Sequence, residues 1–200
     1  MDKGLAMKTK IIFILLTILS PFLNQVRAAE LEFHGNEYGI IYSPQDWYDV
    51  NIYDYATVDM IGGSVNILYA FNSSIFNISD GSITSVICSF DLSTVNITGG
   101  SIEALATGGS STANVYGGEW KWTDYIAAFD QSIVNIYGYD FSYSYGRLSG
   151  FWLSGIQFDL WLRGPDTYPR VVLHEIPEPY SILLLSMGVL IARIRTKAKT

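Results

Sequence analysis

The chain has 200 residues, 12 Lys and Arg against 19 Asp and Glu, a net charge of −7, and a hydrophobic share of 49%. That length holds one domain with room for a core, and the single Cys excludes a framework of intramolecular disulfides. An acidic chain also argues against nucleic acid as a partner, since the phosphate backbone would be repelled.

Residues 1–29 read as a signal peptide. Lys3, Lys8 and Lys10 supply the positive charge, 11–19 is an uninterrupted run of apolar residues and one Thr, and Ser20-Pro21 closes it. Val26 and Ala28 fit the small positions before a cut, so signal peptidase is expected to cleave after Ala28 or Ala29. The run is well short of the ~20 residues that span a bilayer.

From 30 to 174 the chain reads as one repeat domain. Thr57-Val58-Asp59-Met60, Ile75-Phe76-Asn77-Ile78, Thr94-Val95-Asn96-Ile97, Thr112-Ala113-Asn114-Val115 and Ile133-Val134-Asn135-Ile136 are copies of one phrase. Their polar centres, Asp59, Asn77, Asn96, Asn114 and Asn135, are spaced by 18, 19, 18 and 21. Val95 and Ile97 fall on one face of a strand and Thr94, Asn96 and Thr98 on the other. Glycines follow the copies and allow turns with positive φ. A second strand series lies between them, centred on Asn66, Ile87, Leu105 and Ile126 with spacings of 21, 18 and 21. Two interleaved series with one period predict one coil per period. The expected fold is therefore all-β, a right-handed parallel β-helix of about five or six short coils, with the five polar centres stacked as a structural ladder. An antiparallel β-sandwich is the alternative, because short strands with Gly-Gly and Asp-Gly turns also suit hairpins. From about 141 the phrase gives way to aromatic residues, read as a C-terminal cap that includes the strands around Phe158 and Val171–His174.

Candidate chemistry is thin. His34 and His174 sit at opposite ends, and neither has a nucleophile or metal-ligand partner at a telling spacing. No catalytic residue is assigned. Glu103 and Asp124 stand 21 apart, so stacking could bring two carboxylates together as a polysaccharide-cleaving enzyme requires. No cofactor is implied, although solvent-facing carboxylates at the glycine corners are potential Ca²⁺ ligands. Trp120 and Trp122 share a strand face and are candidate glycan contacts if exposed. Cys88 is expected to be a buried small hydrophobe.

The chain closes with Pro177-Glu178-Pro179, an apolar segment at 180–192 and a basic tail at 193–200 that contains Arg193 and Arg195. Cations after a short apolar stretch stay on the cytoplasmic side. Together, over 175–200, these features resemble the PEP-CTERM sorting signal of exported proteins in Gram-negative bacteria that make exopolysaccharide. The resemblance implies transient insertion of 180–192 in the inner membrane, cleavage near Pro177-Glu178-Pro179 by the membrane protease exosortase, and delivery to the cell surface or extracellular matrix. Between residues 30 and 179 there are 4 bases and 18 acids, a net of −14. The expected function is that of a secreted or surface-displayed structural or adhesive protein of the exopolysaccharide matrix, with signal peptidase, exosortase and exopolysaccharide as its partners. The alternative is a glycan-binding or polysaccharide-degrading β-helix.

Overall fold

The computed structural model describes residues 28–121 and 123–177. They form a parallel β-solenoid of about six turns. In chain order its strands are β1 (Ala28–Phe33), β2 (Tyr38–Ile41), β3 (Asp46–Ile52), β4 (Thr57–Ala70), β5 (Ile75–Ser89), β6 (Thr94–Ile97) and β7 (Ser101–Ile102). They continue with β8 (Ala104–Thr107), β9 (Thr112–Val115), β10 (Tyr125–Ala128), β11 (Ile133–Ser144), β12 (Arg147–Phe151), β13 (Gln157–Leu162) and β14 (Val171–Glu175). A 3₁₀ turn, Tyr168–Arg170, precedes β14.

Successive copies of the phrase pair in parallel, Asp59 with Asn77, Asn77 with Asn96, Asn96 with Asn114 and Asn114 with Asn135. A sandwich of hairpins would pair them antiparallel, so that alternative is excluded. One sheet, the ladder sheet, runs β2, the start of β4, the start of β5, β6, β9, the start of β11 and β14. The opposite sheet runs β1, β3, the end of β4, the end of β5, β8, β10 and the end of β13. A short third segment, Ser64-Val65, Ser82-Ile83 and Ser101-Ile102, joins them on one side.

The period of two decides what fills the coil. Val58, Phe76, Val95, Ala113 and Val134 form one inward column, all fully buried, and Met60, Ile78, Ile97, Val115 and Ile136 form a second. Facing them, Val50, Leu68, Ile87, Leu105, Ile126 and Leu162 stack along the opposite sheet. Phe76 is flanked in its column by two Val residues, so the large ring meets smaller neighbours above and below, as dense packing requires. Cys88 lies out of phase with Ile87 and Ser89, both fully buried; it is half-buried on the outer face and not the core residue expected. Burial still raises the pKa of its thiol.

Two kinds of corner close each coil. After the ladder strand the corner is glycine, because one coil's backbone rests on the next. A Cβ at Gly99 would stand 2.2 Å from the carbonyl oxygen of Ser79. On the other side the corner is an Asx residue with positive φ: Asp54, Asn72, Asp91 and Asp130, with Gly35 and Gly109 completing the row. Each such side chain accepts a hydrogen bond from the N–H of the residue one coil earlier. Gly35 donates to Asp54, Asp54 to Asn72, Asn72 to Asp91 and Gly109 to Asp130, at 3.0, 3.2, 3.0 and 3.0 Å. A stack of rings runs beside this corner through His34, Tyr53, Phe71 and Phe90. Inside it, the hydroxyls of Ser93, Ser111 and Ser132 bond to carbonyls, whereas the equivalent Ser74 hydroxyl is buried without a partner.

At the C-terminal end, β11 overruns the coil and turns at Tyr145-Gly146, both with positive φ, into an antiparallel meander with β12 and β13. The chain then re-enters the stack. Trp161 and Leu162 pair in parallel with Tyr125 and Ile126, and β14 pairs with β11. Residues 171–175 are thus the last strand of the ladder sheet.

Candidate functional site

The ladder is a continuous hydrogen-bonded row on the outer face of its sheet. Asn77 Nδ2 donates to Asp59 Oδ1 at 2.7 Å, Asn96 to Asn77 at 2.8 Å, Asn114 to Asn96 at 2.8 Å and Asn135 to Asn114 at 2.9 Å. The inward neighbours of each are buried and the amides themselves are half-buried. His174, stacked on the Tyr137 ring at 4.4 Å, has its Nε2 3.0 Å from Asn135 Oδ1. An amide oxygen only accepts, so in this bond Nε2 carries the hydrogen. At the other end Asp59 also accepts from the Tyr38 hydroxyl, which lifts the phenol's pKa above its ordinary value. The amide dipoles therefore all align, their N–H ends toward an anion and their carbonyl ends toward a ring N–H.

Glu103 and Asp124 meet across adjacent coils. Both line a hollow of about 80 Å³ with Ser82, Thr84, Ser101 and Lys121. Asp124 is 2% exposed; one oxygen accepts from the backbone N–H of Lys121, and the other, Oδ1, is buried without a partner. Burial raises its pKa, the Glu103 charge adds to that, and the Lys121 N–H and ammonium oppose it. A carboxyl pushed toward neutrality beside an exposed carboxylate has the polarity of an acid–base pair. The hollow falls well below the ~300 Å³ at which ligand pockets begin.

Trp120 is half-buried, packed against the core, with its indole N–H donating to Gly117 at 3.3 Å. Trp122 lies outside the described residues, so the two are not placed together. The structure also forms a platform that sequence reasoning missed. Arg163 covers the Tyr125 ring and Arg147 the Trp161 ring, each at 4.8 Å, and Arg147 also pairs with Asp159 at 2.7 Å. Thr123, Tyr125, Trp161 and Arg163 line a shallow hollow of about 260 Å³ there. The signal it left in the sequence was two of the body's four bases, Arg147 and Arg163, falling before and after Trp161.

The Asp54 and Asp130 carboxylates are spent on the Asx corners. Among the described residues no three His, Cys, Asp or Glu side chains gather as a metal-ligand set. Of the expected sorting motif only Pro177 is described, and it is exposed; Glu178, Pro179, Arg193 and Arg195 lie outside the described residues, as do the apolar runs at 11–19 and 180–192. Among the described residues no helix is long and apolar enough to cross a membrane. No protein-family model matches the chain, and no curated protein or solved structure matches it either.

Proposed function

We propose that this is an exported structural protein of the extracellular matrix, displayed at the cell surface or released into the exopolysaccharide layer after exosortase cleaves near Pro177-Glu178-Pro179. The observation that supports a structural role is the solenoid itself. Its polar residues are consumed in bonds between coils, at the ladder and at the Asx corners, and its paired carboxylates face a hollow too small for a sugar ring. Support for export comes from the two ends of the sequence. A net charge of −14 over 30–179 keeps such a body soluble in the medium. Intact mass and fractionation in a host with and without exosortase test the reading. A product ending near Pro177 in the outer or extracellular fraction, left uncut at the inner membrane when the protease is absent, is expected. A full-length C-terminus indifferent to the protease would overturn it.

The juxtaposition of Glu103 with a raised Asp124 supports a second reading, a polysaccharide-cleaving activity. Reducing-sugar release from acidic and neutral exopolysaccharides, lost together in E103Q and D124N, would establish it.

A further inference from the structure

One carboxylate of the solenoid is buried and only half satisfied. The register sets Tyr125 beside Ala104, so the residues before them, Asp124 and Glu103, hold the same position on successive coils, ~4.8 Å apart along the stack. Main-chain bonds fix both places. The Glu103 N–H donates to the Ile83 carbonyl, that of Tyr125 to Glu103 and that of Trp161 to Asp124, at 3.3, 3.3 and 3.2 Å. Ser82 and Ser101, paired in parallel on the adjoining segment, line the same hollow with Thr84. Asp124 lines it from within the fold, at 2% exposure, and Glu103 from the exposed side.

Among the described residues two carboxylate oxygens are buried without a partner, on Asp49 and Asp124, and of the two residues only Asp124 is itself fully buried. The Lys121 backbone N–H takes Asp124 Oδ2 and leaves Oδ1 alone. The nearby Thr123 hydroxyl favours the ionised form without completing a hydrogen bond. Nor does the Lys121 ammonium serve as counter-charge: Lys121 is exposed, and the ion pairs among the described residues are His34 with Glu32 and Arg147 with Asp159. Two carboxylates one coil apart, one of them desolvated, repel each other and favour a counter-charge between them. A proton relieves one of them; a divalent cation relieves both.

We propose that this hollow is a Ca²⁺ site, with Asp124 Oδ1 and the Glu103 carboxylate as its charged ligands and the hydroxyls of Ser82, Thr84 and Ser101 as neutral ones. Size decides the class of ligand. About 80 Å³ is too little for a sugar ring but takes an ion with the waters it keeps. The donors are all oxygen, as a hard cation requires, and Thr84 already gives its hydrogen to Asn66, so its oxygen is left to accept or ligate. Unequal donors drawn from three coils suit Ca²⁺ better than Mg²⁺, which demands near-octahedral geometry. With two acidic ligands rather than three or more, the affinity is expected at ~10⁻⁴–10⁻³ M. The inference rests on neither reading given above: an ion between the carboxylates keeps both ionised, the opposite of what an acid–base pair requires.

Calorimetric titration and thermal melts of the full chain in mild detergent, stripped with EDTA and then given CaCl₂ or MgCl₂, test it. Constant ionic strength separates binding from screening. One saturable Ca²⁺ site is expected, with a melting temperature that climbs as Ca²⁺ is added and Mg²⁺ at least ~10-fold weaker. E103Q and D124N should each weaken Ca²⁺ binding at least ~10-fold. D166N, which removes an exposed acid outside the hollow, should leave it unchanged. Circular dichroism checks folding, and E103Q, at an exposed position, carries the test alone if D124N does not fold. A wild type with no saturable site below ~10 mM, or an E103Q variant that binds as the wild type does, would overturn the proposal. So would an equal loss in D166N, which would mean diffuse counter-ion attraction to an acidic body.

Discussion

At Asp124, burial and the Glu103 charge disfavour the carboxylate more than Lys121 favours it, so the folded pKa lies above the unfolded one. The neutral acid is the form the fold prefers. Its stabilising contribution is complete below the ordinary carboxylate range and is lost as pH rises through the raised value. D124N keeps an acceptor for the Lys121 N–H and removes the charge. Thermal melts should therefore show D124N gaining on the wild type as pH climbs from 3 toward 7, and a gap that does not change with pH would contradict this. At Asn72, φ is 55° and the side chain both shapes the corner and accepts from Asp54. N72A should cost about 1–3 kcal/mol in urea unfolding, from left-handed strain and the lost bond together. N72G removes the strain and should recover part of that loss; equal losses would mean that the conformation is not what the residue supplies.

Within the ladder sheet, position determines how much a side chain matters. Asn96 donates to Asn77 and accepts from Asn114, so it needs both halves of its amide. N96D sets an acceptor against an acceptor at Asn77, and N96A leaves two neighbours unpaired; each should cost about 1–3 kcal/mol by denaturant unfolding. Asp59 only accepts, from Asn77 and Tyr38. D59N keeps the first bond, and the Tyr38 hydroxyl can turn to accept the second, so the loss should stay below about 0.5 kcal/mol. A D59N variant as damaged as N96D would refute this account of the row. The ladder strands were legible because their residue identity is narrow: an amide donates from one atom and accepts at another, so a column of them bonds end to end. The Asx corners were not, although Asp54, Asn72, Asp91 and Asp130 keep the same period. Asn, Asp and Gly share tolerance of positive φ rather than a shape, so the row changes identity wherever Gly35 or Gly109 replaces the side chain.

At the scale of the whole molecule, repulsion within the body opposes its compactness, since 18 acids face 4 bases between 30 and 179. The melting temperature should rise as salt is raised from ~10 mM toward ~150 mM, where the screening length shortens to about 8 Å. A flat response would place those charges too far apart to interact. The path of the C-terminal end was harder to read than the coils. The aromatic run from Phe141 resembles a cap, but Trp161–Leu162 and β14 rejoin the two sheets after the meander, so the stack continues for one more turn. Nothing local marks that return, because the partners that bring both strands back into the stack, Tyr125-Ile126 and 134–138, lie more than 35 residues away. The depth of Asp124 was equally hidden: the period put it one coil from Glu103, while its burial follows from the Lys121 turn folding over it.

Every ladder amide reaches back to the coil before it, and none of these amides waits for an acceptor on a coil still to come. A chain emerging from its N-terminus therefore finds Asp59 already in place as Asn77 arrives, and each later amide meets an acceptor that has just been set. Construction of this row is vectorial, like a wall laid course by course. Its final piece, His174, is also among the last residues of the solenoid to be synthesised, so the ring that closes the stack of amides doubles as the sign that the stack is complete.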